Sequence, residues 1–417
     1  MTTLLKSATI IDAFSPYHNQ QKDILITDGI IVKIDNNINT KKEYQVVELE
    51  NLHISSGWFD TSVSFGEPGY EERETIKNGL NVAAKSGFTT VAVNPNTNPV
   101  IDNKSAVEFL INKANGFATN LYPIANLTQQ NKSVEMAELY DMQQSGAIAF
   151  GDYKKPITND NLLKIALLYA QNFNGLVLSF PKNNSIAGEG VAHEGKNSTL
   201  LGLKGIPALA EELQISRDLF LLEYTGGKLH IPTISSATSV ELIRNAKKKK
   251  LDVTCSVAIH NLYFTDEALT DFNTHYKVSP PLRTKDDIEA LIEGLKDGTI
   301  DMITSDHNPI DIEQKKIEFD YAAYGTIGLE SAFGALQNIF TTKKTIELLN
   351  KGKSRFGIEN TPINIGKAVN ITLFNPDTKY SFSVNDIVSK SKNGIFENET
   401  LKGKAYGIIS NNKVSLN

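Results

Sequence analysis

Gly57-Trp58-Phe59-Asp60-Thr61-Ser62-Val63-Ser64-Phe65-Gly66-Glu67-Pro68-Gly69 closes the first strand-like run of the middle of the chain, residues 54–59, and opens into a loop bounded by glycine and proline. A short apolar run of this kind suits a parallel strand buried on both faces. Working outward, a helical stretch at Asn81-Val82-Ala83-Ala84 follows, and then a second apolar run at 89–93. Further runs fall at 121–125, 147–150, 175–180, 228–234, 253–257 and 302–304. Amphipathic stretches such as 161–171 and 208–224 separate most of them. Eight strand-helix units in one chain predict an α/β fold, a closed (β/α)₈ TIM-type barrel. In such a barrel the chemistry sits at the C-terminal ends of the strands, so the loop after residue 59 is the first place to look.

Both ends of the chain read differently from the middle. Residues 23–27 and 30–34 flank Asp28-Gly29, a hairpin signal. Residues 369–374 form a β-rich run before Asn375-Pro376, and 405–409 and 413–416 flank Asn411-Asn412. These ends predict a small β-sandwich-like domain made of residues 1–53 and 358–417, enclosing a barrel of residues 54–357.

The 417 residues are enough for one large barrel and a small companion. A net charge of -6 argues against nucleic acid as a partner, because phosphate binding needs a basic face. The one basic run, Lys247 to Lys250, follows a periodic stretch and reads as the end of a helix, where cations complement the helix dipole. A single cysteine, Cys255, rules out an internal disulfide and a cysteine zinc cluster. The N-terminus reads as a strand rather than a signal peptide, and no window is apolar enough for a membrane span. A cytoplasmic protein is expected.

The loop after the first run, with Glu74-Thr75, Gly87-Phe88-Thr89-Thr90 and Pro95-Asn96-Thr97-Asn98-Pro99, resembles the dihydroorotases of the amidohydrolase superfamily, specifically the bacterial type that assembles with aspartate carbamoyltransferase. The resemblance resumes at Gly202-Leu203-Lys204-Gly205-Ile206-Pro207, at Pro280-Pro281-Leu282-Arg283, at Ser305-Asp306-His307 and at Ala368-Val369-Asn370-Ile371-Thr372. It implies a zinc hydrolase in which imidazoles and carboxylates hold the metal, and the metal activates a water and polarises a carbonyl.

At the matching positions this chain departs from that pattern. The two histidines after strand one fall on Ser62 and Ser64. The bridging aspartate after strand four falls on Tyr153, beside Asp152; the strand-five histidine falls on Ser179 and the strand-six histidine on Thr233. Only Asp306 is kept. Of the positions that hold substrate in the family, the arginine falls on Gly66, an asparagine on Ser279 and a histidine on Ile310, while Asn96 is retained. Neutral hydroxyls are poor zinc ligands, and assembled zinc affinity depends on thiolate, imidazole or carboxylate. No metal and no cofactor are therefore expected, and no catalytic residue is intact apart from Asp306.

His230, His260 and His307 lie near strand ends and read as hydrogen-bonded residues of the barrel mouth rather than substitute ligands. Asp306 reads as structural, bonding the hydroxyls of Ser62, Ser64 or Thr233. Lys154, Lys155 and Lys182, absent from the family's matching stretches, offer an ammonium in the place of zinc, against the plainer reading of exposed loop lysines. The resemblance thus points to a catalytically inactive member of pyrimidine biosynthesis, a structural or regulatory partner of aspartate carbamoyltransferase and a homo-oligomer. The alternatives are an active zinc-dependent dihydroorotase or related cyclic amidohydrolase with an unrecognised metal set, and a binding protein for a small molecule in the hydroxyl-lined pocket.

Overall fold

A computed structural model describes residues 2–417. Eight parallel strands follow one another round a barrel in chain order: β1 (Trp58–Val63), β2 (Phe88–Val93), β3 (Asn120–Ala125), β4 (Ala149–Phe150), β5 (Leu176–Leu178), β6 (Lys228–Ile231), β7 (Val253–Ala258) and β8 (Met302–Thr304). A parallel bridge between Val63 and His307 closes the ring, with Ser64 N donating to His307 O at 2.7 Å. Every residue of β1 and β2 is buried, as strands covered on both faces require. The α/β barrel expected from the apolar runs is the observed fold.

The helices around it start on side-chain caps. Thr75 accepts from Asn78 N at the head of α1 (Ile76–Lys85), and Ser236 accepts from Ser239 N at the head of another helix, Ala237–Lys248. That second helix ends in the basic run, where Lys247 pairs with Asp301 at 2.7 Å. The reading of the run as a helix end therefore stands.

The termini build a separate mixed sheet of eight strands. Its hairpin at Asp28-Gly29 has φ of 48° and 78°, the left-handed pair that a two-residue turn between antiparallel strands demands. The first apolar run, taken from sequence as one strand over 54–59, is two. His53–Ser56 pairs with Asn370–Ser381 in the terminal sheet, and β1 begins at Trp58 in the barrel. Gly57 makes the crossing possible, because a Cβ there would lie 2.2 Å from both Asn370 Oδ1 and Thr89 Oγ1. Trp58 anchors the junction, stacked on Phe333 with ring centroids 4.7 Å apart and donating Nε1–H to Ser55 Oγ at 2.9 Å. The strand at 370 also runs on through Asn375-Pro376 rather than ending there, with an irregular register between Asn375 and Lys379.

Candidate functional site

The C-terminal ends of β1, β2, β4, β6 and β8 surround a cavity of about 30 Å³. That is room for a water molecule and not for a pyrimidine ring. Ser62, Tyr153, Thr233 and Asp306 line it, together with Asn94 and Lys154.

Asn94, at the end of β2, donates Nδ2–H to Ser62 Oγ at 3.0 Å and to Ser64 Oγ at 3.3 Å. One amide thus satisfies the two hydroxyls that stand where the resemblance implies imidazoles. Asp60, on β1, ties the first and last barrel strands together. It accepts from Thr304 Oγ1 at 2.5 Å, from Ser62 N at 3.1 Å and from Ser305 N at 3.0 Å. Sequence reasoning singled out neither residue; their position at a strand end beside Ser62 was the only available signal.

Asp306 does not bond the hydroxyls of Ser62, Ser64 or Thr233. Its Oδ2 meets Lys154 Nζ at 2.7 Å, and Oδ1 has no protein partner. Burial disfavours the ammonium, but the Asp306 carboxylate and the Tyr153 phenol outweigh it and push Lys154 up to about 12. Burial likewise raises the Asp306 carboxyl, with Lys154 pulling against it. Tyr153 lies beside Ser64, Lys154 and Asp306, and burial followed by the Asp306 charge drives it up to about 12, so it stays a neutral phenol. Asp152 is a staple for its own loop, accepting from Leu127 N, Thr128 N, Asn126 Nδ2 and Thr128 Oγ1.

The other expected positions lie apart from this cluster. Leu178 and Phe180 line the cavity, whereas the intervening Ser179 faces outward beside Asp218 on a surrounding helix. Gly66 is sealed in a turn: its N–H donates to Glu74 O, its carbonyl accepts from Tyr70 N, and a Cβ would lie 1.7 Å from Tyr70 O. No side chain fits there without rebuilding the loop. Asn96 keeps a buried Oδ1 with no partner, and Ile310 and Ser279 are buried away from the cavity lining.

The three histidines near the strand ends, His230, His260 and His307, are neutral. His230 bonds Thr254 Oγ1 at 3.0 Å and Ser256 Oγ at 3.2 Å, and burial pulls it down to about 3. His307 Nδ1 accepts from Gly328 N at 3.2 Å, and burial lowers it to about 4; His260 is lowered to about 3. His230 and His307 are the hydrogen-bonded mouth residues anticipated, His307 through Nδ1 alone, and Nε2 of both His307 and His260 is unpaired.

Among the described residues no three His, Cys, Asp or Glu side chains are placed to hold a metal ion. Hydroxyls, the Asn94 amide, Asp152 and His230 line the cavity with Asp306; Asp152 is engaged by its own loop, His230 by Thr254 and Ser256, and an ammonium already sits on Asp306. A divalent zinc would face a like charge there and find a single imidazole, so these residues do not fit the metal that the resemblance implies.

Two buried lysines tie the segments 274–277 and 315–320 together. Lys277 Nζ donates to Phe319 O at 2.6 Å and Asp320 O at 2.8 Å, and Lys315 Nζ donates to Thr274 O at 2.8 Å. Burial, with mutual repulsion at Lys315, lowers Lys315 to about 7 and Lys277 to about 8. In the unfolded chain both titrate near ~10.4. Below pH 7 both states carry the protons and the burial penalty is complete; between about 7 and ~10 the folded state has shed protons that the unfolded state keeps, so stability rises with pH. Urea midpoints measured from pH 6.5 to 9.5 should climb in the wild type, and Lys315→Met should flatten that climb. An equal slope in both proteins would show that the carbonyl cage keeps Lys315 charged.

A family model described as Dihydro-orotase-like matches residues 53–239. The dihydroorotase of Acetivibrio thermocellus is 39% identical over 420 residues, covering 99% of this chain and 98% of that protein. That of Pelotomaculum thermopropionicum is 39% identical over 423 residues, with the same coverage. Among solved structures, the L-hydantoinase (dihydropyrimidinase) of Arthrobacter aurescens superposes with a TM-score of 0.83 at 20% identity, covering 97% of this chain and 93% of its own. The dihydropyrimidinase of Brevibacillus agri superposes at 0.81 and 20% identity, covering 98% and 94%. The structural likenesses establish the fold, and the full-length sequence likeness establishes descent: the chain belongs to the dihydroorotase family.

Proposed function

We propose that this protein is a dihydroorotase-like subunit of pyrimidine biosynthesis that does not itself turn over dihydroorotate and serves as a structural or regulatory partner of aspartate carbamoyltransferase. The observation that carries the first half is the Lys154 ammonium seated on Asp306, the one retained metal-site carboxylate, in a cavity with room only for water. A reaction that needs an activated water and a polarised carbonyl has neither source of charge in this donor set. The small cavity also speaks against a binding protein for a pyrimidine-sized ligand at the same place.

The partnership rests on the resemblance and on where the losses fall. They are confined to the barrel mouth, while barrel closure, helix caps and the terminal sheet remain well formed, so the chain keeps a folded surface to offer. Size-exclusion chromatography of the protein mixed with aspartate carbamoyltransferase from the same cell tests it. A joint peak of larger mass is expected, and two unshifted peaks at micromolar concentration would remove the partnership and leave an inactive homo-oligomer.

A further inference from the structure

We propose that Lys154 is the resident cation of this barrel, an ammonium that takes over the electrostatic place of a metal by neutralising Asp306. The proposal rests on the reading of the site as metal-free, and it concerns folding rather than turnover, so either can fail alone.

Asp306 is 1% exposed at the end of the last barrel strand. Among the described residues Lys154 is the one whose charge compensates it; the Tyr153 phenol beside it is neutral, and His230, His260 and His307 are uncharged. A buried carboxylate without a cation is costly, so the pair behaves as a unit. The Lys154 side chain is itself only 13% exposed, unlike that of the neighbouring Lys155, which reaches solvent.

The backbone makes the same point independently. Lys154 has φ of 53°, a left-handed conformation that favours glycine and is costly for a long side chain. The turn that imposes it is fixed by Asp152, whose carbonyl accepts from Lys155 N at 3.1 Å and whose carboxylate is stapled to residues 126–128. A lysine held where glycine is easiest, aimed at the one buried carboxylate of the metal position, is explained by the charge it delivers.

The two readings differ in sign. If Lys154 is only a loop residue, Lys154→Gly relieves the backbone and the melting temperature stays level or rises. If it is the resident cation, Lys154→Gly leaves Asp306 unpaired and lowers the melting temperature by about 4–8 °C. Asp306→Asn should also lower it, and Lys154→Met combined with Asp306→Asn should recover more than half of the summed loss, since removing both charges leaves no orphan. Where the single glycine variant does not fold, recovery of soluble, melting protein in the double variant supports the resident cation equally. A stabilised Lys154→Gly, or a double variant as destabilised as the sum of the singles, would overturn the proposal.

Discussion

Purified protein given dihydroorotate and added Zn²⁺ should open the ring no faster than the uncatalysed background, roughly 10⁴-fold or more below an authentic dihydroorotase at equal concentration. The expected deficit is large because two contributions vanish together. A zinc-bound water ionises near neutrality, whereas free water does not, and the same ion would stabilise the developing charge on the carbonyl. Here Ser62 and Ser64 share the amide of Asn94, and Asp306 is engaged by Lys154. The turn at Gly66 leaves no room for a side chain that could grip the substrate carboxylate. The measurement is a spectrophotometric assay of ring opening, run with and without a chelator. Turnover that the chelator abolishes would mean a metal site formed from other groups, and Asp306, His230, His260 and His307 would be the residues to replace next.

Arg283→Ala should cost about 3–5 kcal/mol of stability, read as a lower denaturant midpoint. Arg283 and Glu211 are each 2% exposed and lie 3.4 Å apart, and Ser235 bridges them. Glu211 also accepts from Ser235 N at 2.7 Å, Ser236 N at 3.1 Å and Ser239 Oγ at 2.7 Å, while Arg283 reaches His193 Nδ1 at 3.0 Å and Ile206 O at 3.2 Å. The network joins the loop after β6, the excursion through residues 192–206 and the segment before a barrel helix. Removing the guanidinium leaves a desolvated carboxylate with hydroxyl and amide donors but no cation. Arg283→Met with Glu211→Gln should recover a substantial part of the loss. A fall below ~1 kcal/mol in the single variant would place Glu211 in effective contact with solvent.

Much of this was legible in the chain itself. Short apolar runs separated by amphipathic stretches specify a barrel because both signals are local: period and burial follow from neighbours along the chain. The ordered matches from Glu67-Pro68-Gly69 through Ser305-Asp306-His307 carried the family, and the hydroxyls at 62 and 64 carried the expectation of a metal-free site. The break at Gly57 escaped that reading, since a short strand-like run does not announce which of two sheets each half will join.

What the sequence by itself determined is the architecture, the descent and which side chains stand at the strand ends. Tertiary structure alone decided how those side chains pair. Lys154 and Asp306 are 152 positions apart, and Asn94 lies about 30 from the two serines it bonds. Which of three loop lysines reaches the carboxylate depends on a left-handed turn held by Asp152 and on the closing of β1 against β8. Charge pairing in a barrel mouth is set by distances across the ring, and those distances exist only once all eight strands have closed.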